Sequence, residues 1–415
     1  MKKIFALIDC NSFYCSCERV FRADLKTKPI VVLSNNDGCV IARTQEAKNM
    51  GIPMGVPFFQ IHELYKQNKI EVFSSNFSLY TDLSQRIMSI LKKECPSVQV
   101  YSIDEAFVEL TGLHDPLSFA YKLKKIIYQK VGIPVSIGIA PTKVLAKRAN
   151  HIAKNENHNQ GVFSLLQNED INVALKQTNI IDVWGVGKSL GQRLSSLKIN
   201  TAYDFKTYAN EKLIQREFTK VGLKLKHELM GISCIELLDP YQEKKEISHS
   251  RSFGQKTYHK KDLQEALANF ISTAAARLRT QSSLCTEVSI YLKTDFLTLY
   301  EKKKLINATH DTRLLIQAAL QSLEKIYLPQ KRYKKAGVRL SGLHSSNELQ
   351  LNFFDNTNLL KQDRLMQTID KINHLKGKNS IQFGACGLNN KTWSMKQNFK
   401  SPCYTTNWEE LPYFF

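Results

Sequence analysis

Long apolar runs are missing from this sequence. No stretch of its 415 residues approaches the ~18 consecutive apolar residues of a membrane-spanning helix. Met1-Lys2-Lys3 opens no signal-like apolar segment and no cleavage site follows. No CxxC pair occurs among the nine cysteines, an odd number, so neither a disulfide framework nor a zinc site is indicated. A reducing, cytoplasmic setting without membrane contact is the expectation. Internal repeats are absent too. Acidic residues are scarce beside basic ones: 38 Asp+Glu against 58 Lys+Arg, a net charge of +20. What is present, 43% hydrophobic and 23% charged residues, belongs to a globular chain, neither disordered nor collagenous. Its length suggests two to four domains at roughly 150 residues each.

The charge is unevenly placed. Residues 1–110 carry a net +1, 111–240 a net +7, 241–350 a net +9 and 351–415 a net +3. A basic excess confined to the later part of a chain points to a polyanionic partner, most often nucleic acid; a surface made basic for solubility is the plainer alternative.

Ile4–Ile8 is a continuous apolar run that reads as a buried strand ending in the carboxylate of Asp9. Ile30–Leu33 is a second strand, leading into the polar turn Ser34–Gly38. Gln45–Asn49 is helix-like and stops at Gly51-Ile52-Pro53; Leu79–Cys95 has helical periodicity and ends before Pro96. Val98–Tyr101 and Ala106–Leu110 read as strands on either side of an acidic turn, Ser102-Ile103-Asp104-Glu105. Phe119–Val131 is a basic amphipathic helix and Pro134–Ala140 another strand. These mixed elements predict an α+β core over residues 1–165. Residues 166–235 are mostly helical and 236–247 resemble a linker. A second α/β region follows, with helices at Leu263–Arg279 and Thr312–Tyr327 and strands at Val288–Lys293 and Lys335–Leu340. Residues 345–415 are polar, rich in Asn and weakly periodic, which suggests an interaction tail.

Three carboxylates form the sharpest chemical signal. Asp9 at a strand end and the Asp104-Glu105 pair in a tight turn could converge on divalent metal, because Mg²⁺ takes oxygen ligands and substrate phosphates. From spacing alone, an ordinary solvated acidic turn is the better fit. The apolar frame on both sides favours the ligand reading, since burying an acidic turn without compensation is costly. Trp184-Gly185-Val186-Gly187-Lys188 has the form of a helix–hairpin–helix turn, whose glycines would let backbone N–H groups approach a DNA phosphate while Lys188 adds charge. Plain helix-turn chemistry is the alternative. Lys302-Lys303-Lys304 and Lys331-Arg332-Tyr333-Lys334-Lys335 are basic clusters that could equally be solvated faces. Gln350-Leu351-Asn352-Phe353-Phe354 places two aromatics in a polar tail, as a core anchor or a docking peptide would.

Taken together these segments resemble the Y-family DNA polymerases, in particular the branch of the bacterial mutagenic translesion enzymes. The resemblance covers nearly the whole chain. It runs through Ile8–Tyr14, Val32–Arg43, Phe73–Asn76, Tyr101–Phe107, Ala140–Lys143, Val183–Gly187, Ser250–Gly254 and Gln350–Asp355. It implies an α+β multidomain right-hand polymerase: a palm over 1–165 with small fingers inserted at about 11–73, a helical thumb over 166–235, a linker over 236–247, a little finger over 248–344 and an interaction tail over 345–415. By the same resemblance Asp9, Asp104 and Glu105 are catalytic and hold two Mg²⁺ with the Cys10 main-chain carbonyl. Tyr14 falls at the steric-gate position that selects deoxynucleotides. Lys48 and Lys143 would contact the incoming triphosphate, and Ile41 would lie near the nascent base pair. Gly185, Gly187, Lys188 and Arg251 would contact DNA, and Gln350, Leu351, Phe353 and Phe354 would dock on a sliding clamp. Asn11 and Gln45 depart from residues common in other branches, an acid and a Tyr, but agree with this one.

The implied activity is error-prone translesion synthesis within SOS mutagenesis: template-directed addition of dNTPs to a primer 3′-OH across damaged bases. The implied partners are primer–template DNA, the clamp, a processed UmuD-type dimer and RecA, with nucleoid association when active. No exonuclease-like segment is found. A metal-dependent nuclease built on the same carboxylates, or a non-catalytic, clamp-recruited DNA-binding scaffold, are the alternative functions.

Overall fold

The computed structural model describes residues 3–155, 160–237, 243–346, 359–377, 379–388 and 393–411. It divides into two units: Met1–Ser34, Gly38–Tyr241 and Phe399–Phe415 form the first, Asn35–Asp37 and Gln242–Asn398 the second.

In chain order the first unit runs β1 (Phe5–Cys10), α1 (Phe13–Val20), β2 (Ile30–Leu33), β3 (Val40–Arg43), α2 (Gln45–Asn49), α3 (Phe58–Lys66), β4 (Glu71–Ser74), α4 (Phe77–Glu94), β5 (Ser97–Val100) and β6 (Glu105–Glu109). It continues with α5 (Pro116–Val131), β7 (Val135–Ala140), α6 (Lys143–Asn155), β8 (Val162–Ser164), α7 (Asn168–Lys176), α8 (Lys188–Ser196), α9 (Ala202–Thr207) and α10 (Glu211–Leu229). Five strands form one sheet in the order β5-β6-β1-β7-β8. The central position of β1 explains its unbroken apolar character, because both faces are covered. Ala6, Ile8 and Cys10 face a core shared with Leu83, Ile87 and Ile127 of α4 and α5. Phe5 and Leu7 face the opposite core, with Leu145 and Ala149 of α6 and Leu225 of α10. Strand alternation therefore sends the Asp9 side chain toward α6.

A smaller sheet, β3-β2-β4, pairs β2 antiparallel to β3 and parallel to β4. Val31, Leu33, Val40, Ile61 and Val72 fill its core. Helix starts follow local chemistry: Asn76 caps α4 through the Leu79 N–H, and Asp115 with Pro116 starts α5, which ends at Gly132 in the left-handed region (φ +79°).

The second unit contains β9 (Ile247–Thr257), α11 (Lys260–Thr280), β10 (Ser283–Lys293), β11 (Thr298–Thr309), α12 (Thr312–Ile326), β12 (Tyr333–Ser345) and α13 (Leu359–Leu375). Its antiparallel sheet has the order β11-β10-β12-β9. Leu267 and Ile271 of α11 and Leu315 of α12 pack with Val288, Ile290, Val338 and Leu340 of the sheet.

The segment read as an interaction tail differs from that expectation over its described residues. In the second unit Met366 of α13 is fully buried, and Arg279 grips Asp370 with two hydrogen bonds of 2.6 and 2.8 Å. Trp393 packs on Phe253 and Phe270 of the same unit. Residues 399–411 belong to the first unit, where Phe399 packs on Phe58 and Tyr65 and Tyr404 stacks on Phe21. A few widely spaced anchors attach this segment, and such anchors leave no periodic pattern in the sequence. The linker expected at 236–247 falls partly outside the described residues.

Candidate active site

Asp9 and Glu105 are register partners on the neighbouring strands β1 and β6. The turn before β6 is tied by Ser102, whose hydroxyl accepts from the N–H groups of Asp104 and Glu105 (3.3 and 3.0 Å) and donates to Asp104 Oδ1 (2.6 Å). The Cys10 N–H donates to the Asp104 carbonyl at 2.9 Å, so the three carboxylates lie around one strand end. Burial pushes the Asp9 carboxyl up to about 7, with the Lys154 ammonium pulling it down and Glu105 adding to the rise. Such a crowded, half-desolvated pair calls for positive charge.

Helix α6 answers that demand with two lysines one heptad apart. Lys154 Nζ lies 2.5 Å from Asp9 Oδ2, and Lys147 Nζ lies 3.0 Å from Glu105 Oε2. Among the described residues no three His, Cys, Asp or Glu side chains converge on one point that a cation could fill. The lysines occupy Asp9 and Glu105, and Asp104 is turned to Ser102. The donor set still suits a hard divalent cation, being all oxygen, carboxylates plus the nearby Cys10 carbonyl. A cavity of about 550 Å³ opens beside the pair, lined among others by Lys147, His151, Lys154 and Trp184. Burial lowers the Lys48 ammonium, and Arg43 and Lys154 lower it further, which brings Lys48 into the same electrostatic neighbourhood.

On the other face of the sheet, Tyr14 of α1 is half-buried. Its ring stacks on Tyr80 (centroids 4.6 Å, planes 17° apart) and meets Phe77 edge-on at 5.8 Å. Burial raises the Tyr14 phenol, and Asp104 raises it further, placing this ring near the carboxylates. Ile41 of β3 and Ile103 pack against the same core as Tyr14.

Lys143, read as a triphosphate contact, begins α6, at the opposite end of that helix from Lys154. It is not brought to Asp9 and Glu105. Its side chain is buried at the start of α6, where its ammonium donates to Gln99 Oε1 at 2.5 Å and the Glu236 carbonyl at 2.6 Å and lies over the Phe107 ring. Burial brings its ammonium down to about 8. These bonds make Lys143 a tie between β5, β6 and the segment after α10. Lys147 and Lys154 escaped the sequence reading, although their spacing on one face of α6 was a usable signal.

The Gly-x-Gly turn connects a short 3₁₀ turn, Ile180–Asp182, to α8. Gly185 has φ +97°, a conformation that suits glycine, and Gly187 is the N-cap residue with Lys188 exposed after it. Trp184 turns inward: its Nε1–H donates to the Tyr101 hydroxyl at 3.1 Å and its ring packs on Phe107. Arg251 is exposed on β9 in the second unit, opposite Ala336. Gln350, Leu351, Phe353 and Phe354 lie outside the described residues. No described helix is long and apolar enough to cross a membrane.

The fold and the strand-end carboxylates define a class, the Y-family polymerase architecture. A solved Y-family DNA polymerase chimera matches with a TM-score of 0.65 at 21% identity, over 82% of this chain and 99% of that one. DinB from Sulfolobus solfataricus matches with a TM-score of 0.52 at 22% identity, over 81% and 98%. Sequence narrows the class. Residues 8–151 match the impB/mucB/samB family and 244–353 its C-terminal domain, while 363–413 match a domain of unknown function. The chain is 39% identical to the protein UmuC of Salmonella typhimurium over 98% of this chain and 99% of that protein. It is 39% identical to ImpB of the same species, over 99% of both. DNA polymerase IV of Pelotomaculum thermopropionicum is 30% identical over 90% and 93%. The chain belongs to the impB/mucB/samB family, the UmuC-like branch of the Y-family DNA polymerases.

Proposed function

We propose that this chain performs translesion DNA synthesis through the strand-end carboxylates, adding dNTPs to a primer 3′-OH opposite a damaged template. The observation that carries this assignment to the site is the β1–β6 register, which pairs Asp9 with Glu105 and sets Asp104 beside Cys10. Asp9, Asp104, Glu105 and the Cys10 carbonyl would hold two Mg²⁺. Bound there, the metal supplies charge stabilisation for phosphoryl transfer and acidifies the attacking hydroxyl. The chain's own part is positional and electrostatic. Lys154 is placed to exchange its Asp9 contact for triphosphate oxygens, Lys48 to add charge nearby, and Lys147 to neutralise Glu105 until a ligand does so. Tyr14 limits the space beside the sugar, as the family's steric gate does, and Ile41 lies on the same core, toward the base pair.

DNA contacts fall to Gly185, Gly187 and Lys188 at the start of α8 and to Arg251 on β9. Clamp docking through Gln350, Leu351, Phe353 and Phe354, and contact with a processed UmuD-type dimer and RecA, are inferred from kinship. Neither the nuclease nor the scaffold alternative gains support from the relatives. Primer extension on damaged template tests the assignment: Asp104→Ala should lower dNTP addition by about 10³-fold or more. Equal activity of the variant, or shortening of labelled DNA without dNTPs, would overturn it.

A further inference from the structure

The side chains behind Tyr14 form a chain of contacts that ends in the C-terminal segment. Tyr80, on which the Tyr14 ring stacks, is fully buried and its hydroxyl donates to Glu18 Oε1 at 2.7 Å. Glu18 lies one helical turn beyond Tyr14 on α1 and is itself fully buried. Among the described residues no ammonium or guanidinium forms an ion pair with it, and Arg22 acts on it only from a distance. Its second oxygen, Oε2, is buried without a hydrogen-bond partner of normal geometry, and Ser401 lies beside it. A carboxyl group kept in such a place costs stability unless its surroundings are fixed.

Residues 399–404 fix them on both sides. Asn76, the cap of the helix that carries Phe77 and Tyr80, donates its amide N–H to Ser401 Oγ (3.0 Å) and to the carbonyls of Ser401 and Pro402 (3.4 and 3.3 Å). Phe399 joins the end of β4 by two hydrogen bonds: its carbonyl accepts from the Ser74 N–H at 2.9 Å and its N–H donates to Ser74 Oγ at 3.0 Å. Tyr404 stacks on Phe21, the residue that ends α1, with planes 12° apart. The segment thus touches both helices that supply the Tyr14–Tyr80 stack, one at each end.

We propose that Glu18 and Tyr80 are positioning residues for the Tyr14 ring, and that residues 399–404 hold them in register, so that the C-terminal segment sets how strictly this polymerase rejects ribonucleotides. The inference rests on the reading of Tyr14 as the sugar gate. A stacked ring whose partner is pinned at its hydroxyl has little freedom to tilt away from a 2′-OH; release of the pin widens the gate without removing it.

The test compares rNTP with dNTP insertion by the full chain on primed template, for Tyr80→Phe, Glu18→Leu, Ser401→Ala and Ser401→Thr, with Tyr14→Ala as control. Tyr80→Phe, Glu18→Leu and Ser401→Ala should each raise the rNTP-to-dNTP ratio of kcat/KM about three- to tenfold, the scale of one buried hydrogen bond. Ser401→Thr, which keeps the hydroxyl, should stay near wild type. The dNTP efficiency itself should change little, which a general loss of structure would not allow. A flat ratio in all three variants beside a raised one in Tyr14→Ala overturns the proposal alone. A flat ratio in Tyr14→Ala overturns the gate reading and the proposal with it. ¹⁹F resonances of fluorotyrosine-labelled chain, assigned by Tyr14→Phe, give a readout that needs no turnover. The Tyr14 signal should shift or broaden in Ser401→Ala, and an unmoved signal counts against the proposal even if that variant extends poorly.

Discussion

Lys154 and Glu18 are both charged side chains placed where charge is expensive, and they answer the problem differently. Lys154 borrows the carboxylate of Asp9 at 2.5 Å, a contact that an anionic triphosphate can replace. Lys154→Ala should therefore raise the KM for dNTP about tenfold, one charge-assisted contact's worth, with a smaller fall in kcat. Single-nucleotide insertion kinetics check this, and an unchanged KM would remove Lys154 from the triphosphate. Glu18 has no ion pair of that kind among the described residues, and burial pushes its carboxyl from an ordinary 4.5 up to about 7, against the pull of Tyr80, Ser401 and the more distant Arg22. The native state then keeps a proton that the unfolded chain has released. Stability tied to neutral Glu18 is complete below about pH 4.5 and is lost as pH rises through 7. Glu18→Gln, neutral throughout, should gain on wild type by about 2–3 kcal/mol between pH 4.5 and 8. Urea midpoints across that range measure it, and parallel curves for the two proteins would contradict it.

Helix α6 is the element on which the site depends most, because it carries Lys147 and Lys154 over the sheet. Its approach is set by Gly138 of β7, where an added Cβ would collide with the backbone of Ala146 and Asn150. Asn150 in turn donates to the carbonyls of Leu7 (3.2 Å) and Ser136 (2.7 Å), tying the helix to β1 and β7. Neither side of that collision is a flexible side-chain end, so Gly138→Ala should cost about 1–3 kcal/mol. It should also lower activity by moving both lysines; thermal unfolding and primer extension together check it.

Legibility in the sequence follows the same elements. The central strand β1 and the acidic turn were readable because burial on both faces leaves an unbroken apolar run that stops at a carboxylate. Strand β11 was not: it is an edge strand whose Lys302 and Lys304 alternate with half-buried neighbours, and a Lys-rich edge looks like a solvated loop. Helix α13 was missed because its apolar face is thin, with Met366 its only fully buried residue among those described. The buried setting of Lys143 was not legible, because a Lys next to a motif says nothing of which way its helix face turns. Glu18 and Tyr80 left no signal at all, since a polar residue on an amphipathic helix is ordinarily assumed to face water.

At the scale of the whole molecule, part of the basic charge behind the net +20 already has acidic partners. In the second unit Lys256 and Lys334 share Asp295 (2.6 and 3.3 Å), Lys302 pairs with Glu287 (2.7 Å) and Lys325 with Glu301 (2.8 Å). Exposed pairs of this kind exchange readily with phosphate. Affinity for primer–template should fall about a thousandfold between 50 and 200 mM salt, with little dependence on sequence. A salt-insensitive affinity in a titration would deny the phosphate grip.

The attachment of residues 399–411 to the first unit also orders events in time. A ribosome delivers Ser74, Asn76 and Phe21 long before Phe399, Ser401 and Tyr404, with the Gln242–Asn398 part of the second unit emerging in between. At about 5–20 residues per second, that interval lasts roughly fifteen to eighty seconds. Throughout it Glu18 and the edge of β4 lack their final cover. The part of the enzyme translated first is thus finished last, and a chain broken off early carries Asp9, Asp104 and Glu105 yet never closes the backing of the Tyr14–Tyr80 stack.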